Sequence, residues 1–178
     1  ISYDDFIMTT EKRHEKTVID ILKELKNKGD IYKGEYEGLY CVDCETYYTE
    51  KDLEEGNCPV HKKKCELIKE SSYFFKLSKY QDKLINKISK ENLIWPLKKQ
   101  NEILNRLKEP LKDLSISREK VAWGIPLPFD KDMTVFVWVD ALINYLSTVD
   151  YPNKKFKDFW PATHIIGPDI VWHHTAIW

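Results

Sequence analysis

Apolar residues recur at helical spacing over residues 11–28, where Val18, Leu22 and Leu25 form one stripe. Thr10 is placed to cap this helix, Glu11 suits its first turn, and Gly29 is placed to end it. The period then changes to two. Tyr32, Gly34, Tyr36, Gly38 and Tyr40 share one parity, which predicts a strand over 31–40. A short apolar run, Tyr73-Phe74-Phe75-Lys76-Leu77, predicts a buried strand. Ser78 and Gln81 have capping-box spacing for a helix that turns Tyr80, Leu84 and Ile88 inward. Pro96 suits the first turn of the next helix, which buries Ile103, Leu104 and Leu107 and stops before Pro110.

From Leu111 the texture changes. The segments Asp113-Leu-Ser-Ile-Ser-Arg118 and Trp123-Gly-Ile-Pro-Leu-Pro128 predict loops and edge strands, because proline cannot donate to a central ladder. Met133 to Val139 is a nearly continuous apolar run, as a parallel strand buried on both faces requires. A helix follows at once, capped by Asp140, with Ala141, Leu142 and Tyr145 on one face. His164-Ile-Ile-Gly167 predicts a second strand running into a helix with Pro168 at its start. Strand, helix, strand, helix is the order of an α/β domain, here present in part.

Ligands of such domains sit at the carboxyl ends of the strands. That rule selects Trp138 at the end of the first strand, with Ala141 and Tyr145 beyond it. It also selects Gly167 and Asp169 at the second junction, where backbone N–H groups and a helix dipole can meet a phosphate or a ribose. Ile170, His174 and Trp178 are spaced four apart and share a face. Such a stripe is ordinarily core, but this one starts at a ligand-facing junction and carries His and Trp instead of Leu and Val.

The 178 residues have room for one domain or two small ones. With 42% hydrophobic and 13% aromatic residues the chain can build a core, which argues against disorder. A formal net charge of −1 excludes a wholesale polyanion binder and leaves only local clusters such as Lys62-Lys63-Lys64 and Lys98-Lys99, usually solvated faces. No apolar run approaches membrane-spanning length and no secretory signal is evident. The opening Ile1-Ser2-Tyr3 lacks a Met and Trp178 falls within a helical pattern, so the chain is expected to be a piece of something longer.

All four cysteines lie between positions 41 and 65. Cys41-Val-Asp-Cys44 and Cys58-Pro-Val-His61 are two pairs of equal spacing, each able to turn two donors onto one ion and together able to complete the tetrahedron of a structural zinc site. Cys65 is the rival fourth ligand, disfavoured because it breaks the paired spacing. A disulfide framework suits a small secreted domain without a core, whereas zinc thiolates suit a reducing, cytoplasm-like compartment. Between the pairs, Thr49 and Asp52 have capping-box spacing for a short helix that Gly56 can end. With all positions filled by protein, such a metal holds a fold and performs no chemistry.

Taken together, Val137-Trp-Val-Asp-Ala-Leu-Ile-Asn-Tyr145, His164-Ile-Ile-Gly-Pro-Asp-Ile-Val-Trp-His-His174, Asp113-Leu-Ser-Ile-Ser-Arg118, Trp123-Gly-Ile-Pro-Leu-Pro128, Tyr73-Phe-Phe-Lys-Leu-Ser-Lys-Tyr-Gln81 and the cysteine segment resemble the methionyl-tRNA synthetase family. The resemblance runs from about Tyr3 to Trp178 in the family's order. It implies part of a class I Rossmann-type catalytic domain split by a connective insert with a zinc knuckle. The divisions expected are 1–29, the end of the first catalytic half; 30–110, the insert; and 111–178, the second half, truncated.

By resemblance, Cys41, Cys44, Cys58 and His61 are the knuckle ligands for Zn2+. The methionine pocket includes Trp138, Ala141, Leu142, Tyr145, Ile170, His174 and Trp178, with Tyr145 and His174 near the thioether sulfur. Gly167 and Asp169 contact the ribose of ATP or the adenylate, and Arg118 matches an arginine linked to the activation step. Implied substrates are L-methionine, ATP with Mg2+, and tRNA(Met). Three positions depart from the family's pattern: Pro168 replaces a Lys, His173 an aromatic residue and Met8 an Arg. The family's two ATP signatures are expected before Ile1 and after Trp178. Two other readings compete. A class I synthetase for valine, isoleucine or leucine carries a large editing insertion, for which the roughly hundred residues between the halves leave no room. A non-catalytic zinc-ribbon module that binds nucleic acid explains 30–110 but not the residues after 134.

Overall fold

The computed structural model describes residues 2–43, 46–48, 50, 53–119, 121 and 123–178. Helix α1, Lys12–Asn27, is amphipathic and buries Val18 and Leu22. Its N-cap is Glu11, not Thr10, and the Glu11 side chain accepts the Met8 N–H at 2.7 Å. The helix ends as expected at Gly29, whose φ of +73° lies in the left-handed region that glycine adopts without strain.

Strand β1, Ile31–Cys41, pairs antiparallel with β3, Glu66–Phe75, over ten residues from Ile31↔Phe75 to Tyr40↔Glu66. The expected strand at Tyr73 is thus the end of a longer one, whose solvated half carries too few apolar residues to announce itself. β2, Thr46–Tyr48, and β4, Leu114–Ser115, complete the sheet in the order β2-β1-β3-β4. The expected capping box Thr49–Asp52 lies outside the described residues. Gly56 ends no helix. With Glu55 it makes a tight turn, both residues at positive φ, between the bridged Glu54 and Asn57.

After a single 3-10 turn at Leu77–Tyr80, helices α2, Gln81–Lys90, and α3, Leu97–Arg106, pack through Ile88, Ile103 and Leu107. Ser78 and Gln81 do not form a capping box. Ser78 Oγ donates to Asp113 at 2.6 Å, and the Gln81 amide bonds the backbone of Leu107, Glu109 and Leu111. Long-range partners have displaced the local ones. Pro96 is the N-cap of α3, one position before its first turn.

A second sheet, in the order β5-β7-β6, is formed by Ser117–Glu119, Asp130–Val135 and Pro126–Leu127. Every pairing among the described residues is antiparallel, so the parallel pairing expected of the run 133–139 is not found. That run is two elements. β7 ends at Val135, Phe136 is the N-cap, and α4 spans Val137–Thr148. The apolar character is continuous because the buried side of β7, Met133 and Val135, passes directly into Leu142 and Ile143 of α4; composition alone does not mark the change. Residues 164–167 pair with no strand among the described residues, and Ile165 is 98% exposed. The segment after them is a 3-10 turn, Pro168–Ile170, followed by helix that widens at His173–Ile177, where the Trp178 N–H reaches the His173 carbonyl at 2.9 Å. A short helix α5, Lys154–Phe159, precedes it.

The main core joins Val18 and Leu22 of α1, Tyr73 of β3, Ile116, Leu127, Met133 and Ile143. Asp140 does not cap α4. Its carboxylate bonds Nε2 of His14, a fully buried side chain of α1, at 2.6 Å, and His14 Nδ1 meets Ser147 Oγ at 2.9 Å. One imidazole thereby pins α4 to α1.

Candidate functional site

Three of the expected binding residues meet where α4 faces the chain's last turn. Tyr145 Oη and His174 Nε2 are 2.7 Å apart, and His174 Nδ1 lies 2.9 Å from the Ile170 carbonyl. A carbonyl only accepts, so Nδ1 carries a proton and donates to it. In the neutral imidazole Nε2 is then an acceptor, and the Tyr145 hydroxyl donates to it. Trp178 closes on Tyr145, with ring centroids 5.8 Å apart. The widened turn at His173–Ile177 presents His174 and Trp178 together toward α4.

The collar includes two residues that sequence reasoning missed. His164 packs edge-on against Tyr145 at 4.4 Å and Trp160 against His164 at 6.1 Å. In the sequence His164 opens an expected strand and one of the family-like segments without being singled out as a binding residue, and Trp160 carries no periodic signal. Both line a cavity of about 230 Å³ with Tyr145, Thr148 and Ile166. Burial and the neighbouring His174 hold the His164 imidazole below its ordinary pKa, so it is neutral at pH 7, and burial pushes the Tyr145 phenol up. The Tyr145–His164 side of the collar is therefore aromatic and uncharged.

Trp138 does not end a strand. It stands in the first turn of α4 and stacks on His173 at 3.9 Å and 16°. The His173 imidazole is also held low, by burial, by His174 and by Arg106, and its Nδ1 is buried without a hydrogen-bond partner. Leu142 and Trp178 line a second, apolar cavity of about 220 Å³ with Ile21, Val139 and Ile177. Of the expected pocket residues, Tyr145 lines the first hollow and Leu142 and Trp178 the second, with the Tyr145 and Trp178 rings 5.8 Å apart; Trp138, Ala141, Ile170 and His174 line neither. Ala141, half-buried, lies on α4 one turn before Tyr145.

At the other junction, a Cβ added to Gly167 would stand 2.9 Å from Asp169 Oδ1. A side chain at 167 would displace that carboxylate from its fold back over the backbone. Both residues are exposed. Arg118, on β5, stacks its guanidinium 4.0 Å over Phe136, the N-cap of α4. Its Nη1 donates to Ser115 Oγ at 2.7 Å and to the Ser117 carbonyl at 2.9 Å.

In the cysteine lobe, Cys41 and Cys58 sulfurs and a His61 nitrogen all lie within 4.8 Å of one another. Cys41 Sγ and His61 Nδ1 are 4.0 Å apart. Two ligands at zinc's usual bond lengths and tetrahedral angle stand about 3.6 Å apart, so this donor set fits the ion. The His61 N–H points at Cys58 Sγ, 3.4 Å away, as suits a thiolate. An ion pair from Lys63 to Asp43 at 2.7 Å links the two loops and holds the Asp43 carboxyl below its usual range. Cys44 lies outside the described residues. Cys65 is buried against the same cluster, but its sulfur is not among the three converging donors.

The chain matches the family model for tRNA synthetases class I (M) over residues 1–66 and 49–178. A methionine–tRNA ligase of Clostridium perfringens is 47% identical over 184 residues, which cover 100% of this chain and 28% of the relative. One of Fusobacterium nucleatum is 48% identical over 185 residues, covering 100% of this chain and 29% of the relative. Among solved structures, Mycobacterium tuberculosis methionyl-tRNA synthetase bound by methionyl-adenylate superposes with a TM-score of 0.87 at 35% identity, covering 100% of this chain and 37% of that one. The chain therefore spans less than a third of the length of these curated relatives. The likeness agrees with the α/β class expected from the sequence, and the Cys-Cys-His cluster is consistent with an inserted zinc knuckle. No helix among the described residues is long and apolar enough to cross a membrane.

Proposed function

Because the chain belongs to the tRNA synthetases class I (M), we propose that the protein of which it forms a part activates L-methionine with ATP and transfers it to tRNA(Met). In the first step the methionine carboxylate attacks the α-phosphorus of ATP, supplied as its Mg2+ complex. Methionyl-adenylate forms and pyrophosphate leaves. In the second, a ribose hydroxyl of the tRNA's terminal nucleotide attacks the activated carbonyl and AMP leaves.

The observation that carries this reading is the Tyr145–His174 hydrogen bond inside an aromatic collar. A thioether is polarizable and nearly non-polar, and each sulfur–aromatic contact contributes about 0.3–1.5 kcal/mol. The aromatic rings and the neutral His164 imidazole offer no counter-charge to a charged side chain. In this reading Trp138, Ala141, Leu142, Tyr145, Ile170, His174 and Trp178 make the methionine pocket. Gly167 and Asp169 hold the adenylate ribose, a carboxylate being the natural acceptor for its hydroxyls. Arg118 stabilises charge that develops on phosphate oxygens. Cys41, Cys44, Cys58 and His61 would hold Zn2+, which supplies folding energy to its lobe. The reduced thiol cluster suits the cytoplasm.

The double variant Tyr145→Leu/His174→Leu tests the pocket. An apolar pocket separates side chains that differ by one methylene by only ~1–3 kcal/mol, so groups that fix the sulfur matter more than area. The specificity constant for methionine should fall, that for a longer azide-bearing homologue should rise, and ATP affinity should hold. Unchanged preference, or equal loss of ATP and methionine, would mean that the two residues are merely core.

A further inference from the structure

Three buried serines sit behind Arg118, and neither capping nor turn formation accounts for them. Ser72 on β3, Ser115 on β4 and Ser117 on β5 are 2%, 8% and 0% exposed. Buried hydroxyls persist where they are hydrogen-bonded, and these bond chiefly to one another and to the backbone around them. Ser115 and Ser72 Oγ are 2.7 Å apart, and Ser72 Oγ lies 3.1 Å from the Ser117 carbonyl. Ser117 Oγ accepts the Tyr73 N–H at 2.9 Å. Arg118 Nη1 donates into this ladder at Ser115 Oγ and at the Ser117 carbonyl.

Ser115 Oγ accepts from Arg118 and shares a second hydrogen bond with Ser72, and the hydroxyl protons of the ladder have the Ser117 and Tyr73 carbonyls as acceptors. Stacking on Phe136 sets the guanidinium's height above that ring. Two hydrogen bonds from one nitrogen, to Ser115 Oγ and the Ser117 carbonyl, act on its orientation within its own plane.

We propose that Ser115, with Ser72 behind it, is a positioning residue that sets the in-plane orientation of the Arg118 guanidinium for adenylate formation. The proposal rests on the reading of Arg118 given above. It also gives β3 a second task. The strand whose far end pairs Leu67 with Leu39 at the base of the cysteine lobe carries, at Ser72, the hydroxyl that orders the arginine.

The test is a mutant cycle in the full-length ligase, read as methionine-dependent ATP–pyrophosphate exchange. Ser115→Ala should lower kcat by ~10–100-fold, the scale of a misplaced catalytic group, with the KM values for methionine and ATP changed by less than about threefold. Ser72→Ala, one link further away, should act in the same direction and less. Neither should lose further activity when placed on Arg118→Gln, because only coupled residues are non-additive. A serine variant that keeps its kcat, or loses as much on Arg118→Gln as on the wild type, overturns the proposal and leaves the role of Arg118 standing. Full exchange by Arg118→Gln alone overturns the role of Arg118, and the proposal with it.

Discussion

Replacing His14 by Ala should loosen α4. The imidazole is fully buried and makes two bonds, 2.6 Å to the Asp140 carboxylate and 2.9 Å to Ser147 Oγ. A hydrogen bond to a charged group contributes about 1.5–3 kcal/mol and a neutral one about 0.5–1.5. The losses are partly offset, because Asp140 is 19% exposed and can take up water. Ser147 also keeps the Ile143 carbonyl at 3.2 Å. Removing the fully buried ring also leaves a cavity that the surroundings fill only in part. The net cost is about 3–4 kcal/mol, and at ~1.4 kcal/mol per factor of ten this exceeds a hundredfold in a local opening constant. Amide hydrogen exchange of the full-length protein reads it directly. Protection over 137–148 should drop more than about a hundredfold while the β1–β3 hairpin keeps its own. Asp140→Asn, which retains an acceptor for Nε2–H, should cost only about 1 kcal/mol. A drop below tenfold in α4, or an equal drop in the hairpin, would refute the pinning of α4 through His14.

Asp30 is buried, accepts bonds from Lys79 Nζ at 2.5 Å and Tyr80 Oη at 2.6 Å, and has its pKa lowered first by the Lys79 bond. A depressed carboxylate contributes stability that is present above its unfolded pKa and lost as pH falls through its folded one. Asp30→Asn should therefore lower the melting temperature at pH 7, by ~1–3 kcal/mol of stability, and the gap to the wild type should close in acid. Cys58→Ala should release the zinc and raise proteolytic sensitivity around 41–65, whereas Cys65→Ala should keep both metal and resistance. Elemental analysis decides, and equal loss in the two variants would make Cys65 a ligand in place of His61.

The helices were legible from the sequence because their stripes are amphipathic: Val18 and Leu22 in α1, Ile88 in α2 and Ile103 in α3 each report a buried face. The cysteine lobe was legible because ligand spacing is a local property, although Gly56 proved to serve a tight turn. What the sequence hid was long-range. Gln81 and Asp140 have capping chemistry, yet each bonds a residue far along the chain instead. An apolar run that crosses from β7 into α4 has no period to divide it. His14, Asp30 and the three serines are polar residues in a core, and no periodicity announces a polar residue whose partner lies dozens of positions away. Tyr145, His174 and Trp178 were selected by spacing and resemblance. His164 and Trp160 joined them only when the chain folded back between α5 and the last turn.

The most direct measurement is amino-acid-dependent ATP–pyrophosphate exchange by the full-length protein, assayed separately with methionine, valine, isoleucine and leucine. A collar built for an uncharged thioether should support exchange with methionine and discriminate against each of the others by at least about tenfold. Exchange of comparable efficiency with valine, isoleucine or leucine, or none with methionine, would contradict the assignment of the Tyr145–His174 site.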